Sequence, residues 1–214
     1  MVLSRLQSLL ARIYDVEPPL DPAAYLVTDA ALVRGWQEAG VTDEALFLRE
    51  HDGALELSLY VDAGVLERLA ERDPFDGVSE ANLQDCCTAL EGVSHLLYLA
   101  WCAVRGRAVS LLELETQAEV DKFAALLVLA AARGGEDAAR LHARLFERVR
   151  FVEGLDRERL ERYSSANSLA ARYCRRLARR WLGPASAGHA GLFRELRAFY
   201  RLGHGAKLAC AAAG

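Results

Sequence analysis

Lysine is almost missing from this chain: of 26 basic residues only Lys122 and Lys207 are lysines, leaving 24 arginines. Such a bias is what a GC-rich genome yields, so it is not read as a functional sign, although arginine does favour bidentate and buried ion pairs. Also missing is any apolar run of the roughly 18 residues that a membrane span requires. The longest, Phe123 to Ala132, is about half a span, which excludes a membrane partner. The opening MVLSRLQSLLARIYD is interrupted by Gln7, Ser8 and Arg12, and it reads as an amphipathic helix rather than a signal peptide. The five cysteines, Cys86, Cys87, Cys102, Cys174 and Cys210, form no C-x-x-C pair and are odd in number. That pattern suits reduced thiols in a cytoplasmic protein and excludes a disulfide framework. Nucleophile-elbow, P-loop and dinucleotide-binding motifs are absent, and Ser164, Ser165 and Ser168 fall in the middle of a helical pattern.

What remains is a chain of 214 residues, 52% hydrophobic and 26% charged, a composition that excludes disorder and fits one globular domain over 1–214. Within it, residues 1–75 read as a mixed α/β part and 76–214 as a helical bundle. Three of the five prolines lie between Val16 and Pro22, an extended linker. Tyr25 to Thr28 suits a strand and Ala31 to Ala39 a helix. Between Glu44 and Asp62, Asp52-Gly53 supplies the preferred pair for a two-residue hairpin turn. The register that follows sets Leu48 against Leu57, Leu46 against Leu59 and Arg49 against Glu56, with one leucine face that must pack on something larger.

Asp62 caps a short helix through Ala70. Five helical stretches follow: Ser79 to about Val104, Ser110 to Ala132, Glu136 to Phe151, Asp156 to Leu182, and Ala190 to Leu202, the last resuming beyond Gly205. Short loops between them imply antiparallel neighbours. The expected fold class is therefore α+β, mainly a bundle of four or five antiparallel helices with a small N-terminal antiparallel hairpin or sheet packed on it.

The net charge of −4 conceals an asymmetry. Residues 1–135 carry a net −12 and residues 136–214 a net +8. In the fourth bundle helix Arg172, Arg175, Arg176, Arg179 and Arg180 recur at spacings of three and four and share one face, a candidate surface for an anionic partner. Nucleic acid is the less favoured partner, because no helix-turn-helix or zinc-finger pattern accompanies the arginines. Pairing with acidic surface of the same chain, a second copy or another protein is favoured.

The helix from Ser79 to Val104 is apolar over most of its circumference, which places it centrally and buries a polar stripe of Cys87, Glu91, His95, Tyr98 and Cys102. Folding the chain back about Gly106 puts Glu91 level with Asp121 and His95 level with Gln117. Glu91, His95, Glu115 and Glu119 then meet at one height in the bundle. Carboxylates with histidine inside a bundle are ligands for iron, manganese or zinc, although the usual doubled Glu-x-x-His spacing is not present. The alternative is a buried network of Glu91, His95, Tyr98 and Arg148, because a desolvated carboxylate or imidazole needs a partner. Cys87 and Cys102 read as packing residues rather than as thiolates activated by His95. His51, His189 and His204 read as solvated.

The leading functional expectation is a non-catalytic binding or regulatory module acting through contact with itself or another protein, with no cofactor. The alternatives are a metal-dependent enzyme built on Glu91, His95, Glu115 and Glu119, and a nucleic-acid-binding protein using the arginine face.

Overall fold

A computed structural model describes residues 1–36, 42–51, 54–132, 137–147, 149, 156–181 and 189–213, with the backbone alone at 50, 51, 54, 55 and 189. The chain begins with α1 (Val2–Tyr14), whose Leu3, Leu6, Leu10 and Ile13 are all buried, as their helical spacing requires. The proline-rich stretch is not extended throughout. Asp21 accepts from the Ala23 amide and Pro22 sits at the first helical position, so one turn forms as α2 (Pro22–Tyr25). There follow β1 (Leu26–Val27), α3 (Ala30–Arg34), β2 (Glu44–His51) and β3 (Ala54–Val61). The Asp52-Gly53 turn lies outside the described residues, and the helix expected to run to Ala39 instead ends at Arg34, with Gly35 closing it.

The β2–β3 pairing has the expected register, including Leu48 opposite Leu57, Leu46 opposite Leu59 and Arg49 opposite Glu56. The sheet is mixed rather than purely antiparallel, because β1 pairs parallel to β3 with Leu26 opposite Leu59. Nor does the whole leucine face pack. Leu59 is fully buried, but Leu48, toward the hairpin tip, is 49% exposed.

Asp62 caps α4 (Ala63–Glu71) by accepting from the Gly64 amide. The long helices come next. In α5 (Leu83–Ala103), Ser79 heads the preceding turn and Asn82 is the capping residue. Ser110 caps α6 (Leu111–Ala131) by accepting from the Glu113 amide, and Gly106, at φ 62°, turns the chain between the two helices. Contacts from Glu91 to Lys122, Ser94 to Asp121 and Tyr98 to Glu113 run in opposite directions along α5 and α6. The pair is therefore antiparallel in the register read from sequence.

Then come α7 (Ala138–Phe146), α8 (Arg157–Trp181), α9 (His189–Arg201) and α10 (His204–Ala212). The α7 helix stops well short of Phe151, and residues 150–155 lie outside the described residues. The sequence places α5 at the centre, and α6 shares that position. It packs on α5, α8, α7 and α1, and most of its acidic segment is interior, with Glu113, Glu115, Thr116, Gln117, Asp121 and Lys122 all buried. No described helix is long and apolar enough to cross a membrane.

One glycine sets how closely the sheet approaches α5. A Cβ on Gly92 would lie 2.8 Å from Leu59 Cδ1 and 2.9 Å from Glu44 Cγ. A glycine inside a helix costs roughly 1 kcal/mol relative to alanine, so its presence here is explained by the approach it allows. That approach brings the first residue of β2 against the polar stripe of α5.

Candidate metal centre

Three side chains converge between α5 and α6: ligand atoms of Glu91, His95 and Glu115 all lie within 4.8 Å of one another. His95 is central, with Nε2 3.3 Å from Glu115 Oε2 and Nδ1 3.4 Å from Glu44 Oε1. The Nε2 contact is close but not aligned. Both His95 Nε2 and Glu44 Oε1 are buried without a hydrogen-bond partner, an expensive state for polar atoms in a protein interior.

Two fixed cations border the cluster. Lys122 Nζ donates to Glu91 Oε2 at 2.9 Å and to Glu119 Oε1 at 2.7 Å. Arg162, from α8, places Nε 3.9 Å from Glu115 Oε1. Four carboxylates, from Glu44, Glu91, Glu115 and Glu119, thus face two permanent positive charges. With all four carboxylates ionised and His95 neutral, two negative charges are left over, which protons or a divalent cation would balance.

Without such an ion the balance must come from protons. Burial works against a charged imidazole, but Glu115 and Glu44 outweigh it and hold the His95 pKa well above its usual range. Burial likewise pushes Glu44 up, with His95 opposing. For Glu91, burial is outweighed by Lys122 and His95, and the pKa falls. Tyr163, beside the cluster on α8, is pushed up to about 12 by burial and then by Glu115, Glu91 and Glu44.

Glu91, His95 and Glu115 are therefore brought together as the sequence suggested, and Glu119 is set apart. It lies one helical turn beyond Glu115, and its carboxylate is taken by Lys122. Tyr98 does not join the cluster either. Seven residues after Glu91 on the same stripe, it lies about 10 Å further along the helix. There its hydroxyl donates to Glu113 Oε1 at 2.6 Å and receives Arg107. Arg148 lies outside the described residues.

Glu44, Lys122 and Arg162 escaped the sequence reading. For Glu44 a signal existed, since it is in phase with Leu46 and Leu48 on the apolar face of the hairpin, where an acidic residue needs a buried partner. Burial pushes the Cys87 thiol up to about 12 and also raises Cys102, so neither is a thiolate beside His95. His204 is half exposed, with Nδ1 2.7 Å from Ser110 Oγ, while the side chains of His51 and His189 lie outside the described residues.

A second buried polar group uses other faces of the same two helices. Asp121 accepts from Tyr14, from Ser94 at 2.6 Å and from Gln117 at 2.6 Å, while Lys207 of α10 donates to the same Gln117. Burial pushes Asp121 up to about 6 against these donors, and burial brings Lys207 down to about 7. Both lysines of the chain are thus interior.

The arginines of α8 line a surface groove of about 480 Å³ with Ala171. Arg175 pairs with Glu147 at 3.0 Å, Arg180 lies 3.6 Å from Glu195, and Arg176 donates to the Cys210 carbonyl at 3.0 Å. Arg172 and Arg179 have no ion pair with the described residues.

Comparison with known proteins returned no matching family model, no matching curated protein and no matching solved structure.

Proposed function

We propose that this chain binds one divalent transition-metal ion within its helical bundle, through Glu91, His95 Nε2 and Glu115, with Glu44 orienting the imidazole from its Nδ1 side, and is a metal-dependent enzyme. The observation that carries the reading is the convergence of three ligand atoms within 4.8 Å around a buried His95 Nε2 that has no hydrogen bond. Carboxylate oxygens with one imidazole suit Mn²⁺ or Fe²⁺, with Zn²⁺ a weaker match. A ligand set of this size leaves coordination positions to water or substrate, as Lewis-acid chemistry requires. Glu91, whose side chain is 27% exposed, marks the side from which they would enter. The five unpaired cysteines support a reducing compartment such as the cytoplasm.

Elemental analysis and thermal melts of the purified chain with added Mn²⁺, Fe²⁺ or Zn²⁺ test this. One equivalent is expected, with a rise in Tm, because a ligand bound only to the native state at a hundredfold its Kd adds about 2.7 kcal/mol. E115Q and H95A should lose it. Fewer than about 0.1 equivalents with no Tm change for any of the three ions would remove the reading, since binding to the native state must raise stability.

A second reading, contact with an acidic protein surface or a second copy through α8, is supported by Arg172 and Arg179, which line the groove without acidic partners among the described residues. Light scattering across a salt series tests it, and a monomer at every ionic strength with no partner retained at low salt would count against it.

A further inference from the structure

A cation already stands beside the candidate metal position. The Lys122 ammonium touches two carboxylates from different helices, Glu91 Oε2 at 2.9 Å and Glu119 Oε1 at 2.7 Å, and its side chain is only 10% exposed. Glu91 belongs to both groupings, because it also offers an oxygen to the cluster with His95 and Glu115. The arrangement is thus two carboxylate-lined positions sharing Glu91: one lies between Glu91, His95 and Glu115, and the other is filled by an amine. Helical bundles that hold metal pairs do so with glutamates projecting inward from several helices.

An ammonium is a compact point charge, unlike the flat and wider guanidinium that serves almost everywhere else in this chain. One of only two lysines is therefore placed where a small cation is needed.

We propose that Lys122 takes the place of a second metal ion, sharing Glu91 with the first, and so restricts the centre to a single metal. This rests on the metal-binding reading above. In this arrangement Glu119 serves Lys122, and it is not a ligand of the metal.

The test is Mn²⁺ stoichiometry and affinity, by elemental analysis after desalting and by calorimetric titration, for the full-length wild type, K122A, K122R and E119Q, with circular dichroism to confirm folding. The wild type and K122R should hold one equivalent and K122A two, with Mn²⁺ raising the Tm of K122A more than that of the wild type. E119Q keeps the shape of the side chain and should bind one equivalent with affinity within about threefold of wild type, a difference below 1 kcal/mol. One equivalent in folded K122A, two in the wild type, or a tenfold or greater loss of affinity in E119Q would overturn the inference and leave the metal-binding reading standing. Should K122A not fold, E119Q decides alone. A wild type that binds no Mn²⁺, Fe²⁺ or Zn²⁺ would remove the metal-binding reading itself, and with it the role assigned to Lys122.

Discussion

Lys207 aims its ammonium at the face of Tyr98, 4.3 Å from the ring centroid, in a compartment where it is fully buried. The charged groups that act on it are Asp121 and Glu113, which favour the ammonium, and Arg107, which opposes it. Burial outweighs them all and lowers the pKa to about 7.

The unfolded chain, with a lysine pKa of about 10.4, binds more protons than the folded chain between about pH 7 and 10.4, so Lys207 makes stability rise with pH over that window. Below pH 7 its burial is a constant penalty. K207M should therefore be more stable than wild type at pH 6, and its advantage should shrink by about 2 kcal/mol between pH 7 and 9. Urea unfolding of both proteins at each pH measures this. Comparing the two cancels the contribution of the cysteines, which ionise in the unfolded chain above about pH 8.5. A constant gap would show that Lys207 is not titrating in this range.

G92A should destabilise. In an unobstructed helix the change from glycine to alanine gains roughly 1 kcal/mol, but here the new methyl meets Leu59 and Glu44. Overpacking typically costs 1–3 kcal/mol, which after that gain leaves a net loss of up to about 2 kcal/mol in urea unfolding. Because the displaced carboxylate belongs to the candidate metal centre, Mn²⁺ affinity should fall with it. A more stable G92A would mean that the sheet does not lie this close to α5.

Glu113 is fully buried and accepts from both Arg107 and Tyr98. R107A removes one partner and leaves a carboxylate in the interior, a change that typically costs 3–5 kcal/mol. The double variant R107A/E113Q removes the stranded charge and should recover part of that loss. Chemical denaturation of the single and double variants forms the cycle, and equal instability of the two would argue against a buried ion pair.

The end of α1 is closed by arginines from α9. Arg197 Nε donates to the Ile13 carbonyl at 3.0 Å, and Arg201 reaches the carbonyls of Tyr14 and Asp15 at 3.0 and 2.9 Å. These are otherwise unsatisfied C-terminal helix carbonyls, and positive charge there also complements the helix dipole. R201A should lose about 1.5–3 kcal/mol, the typical contribution of hydrogen bonds to charged groups. Hydrogen exchange should accelerate across α1 first. Unchanged exchange in α1 would rule out the clamp.

Much of this architecture was legible in the sequence because it depends on local periodicity. The hairpin register followed from alternation and a turn pair, and the meeting of Glu91, His95 and Glu115 followed from folding two helices about Gly106. What escaped depended on distances that periodicity does not carry. Tyr98 shares a stripe with Glu91 but lies two turns along it, so it meets Glu113 and Arg107. Glu44 enters the centre from another element, and only because Gly92 lets that element come close. Lys122 was visible as a residue in an acidic segment, but its claim on Glu91 depended on which way α6 faces. The short β1 strand pairs parallel to β3 through a tertiary approach that has no turn signal in the sequence.

With Lys122 and Lys207 both interior, the folded chain presents no lysine amine on its surface. Acylating reagents, lysine-directed crosslinkers and ubiquitin-conjugating enzymes acting on side chains would have to wait for the bundle to open. The rate at which either lysine is modified therefore reports local unfolding. The two report on different places, one beside the candidate metal centre and the other beneath the C-terminal helix.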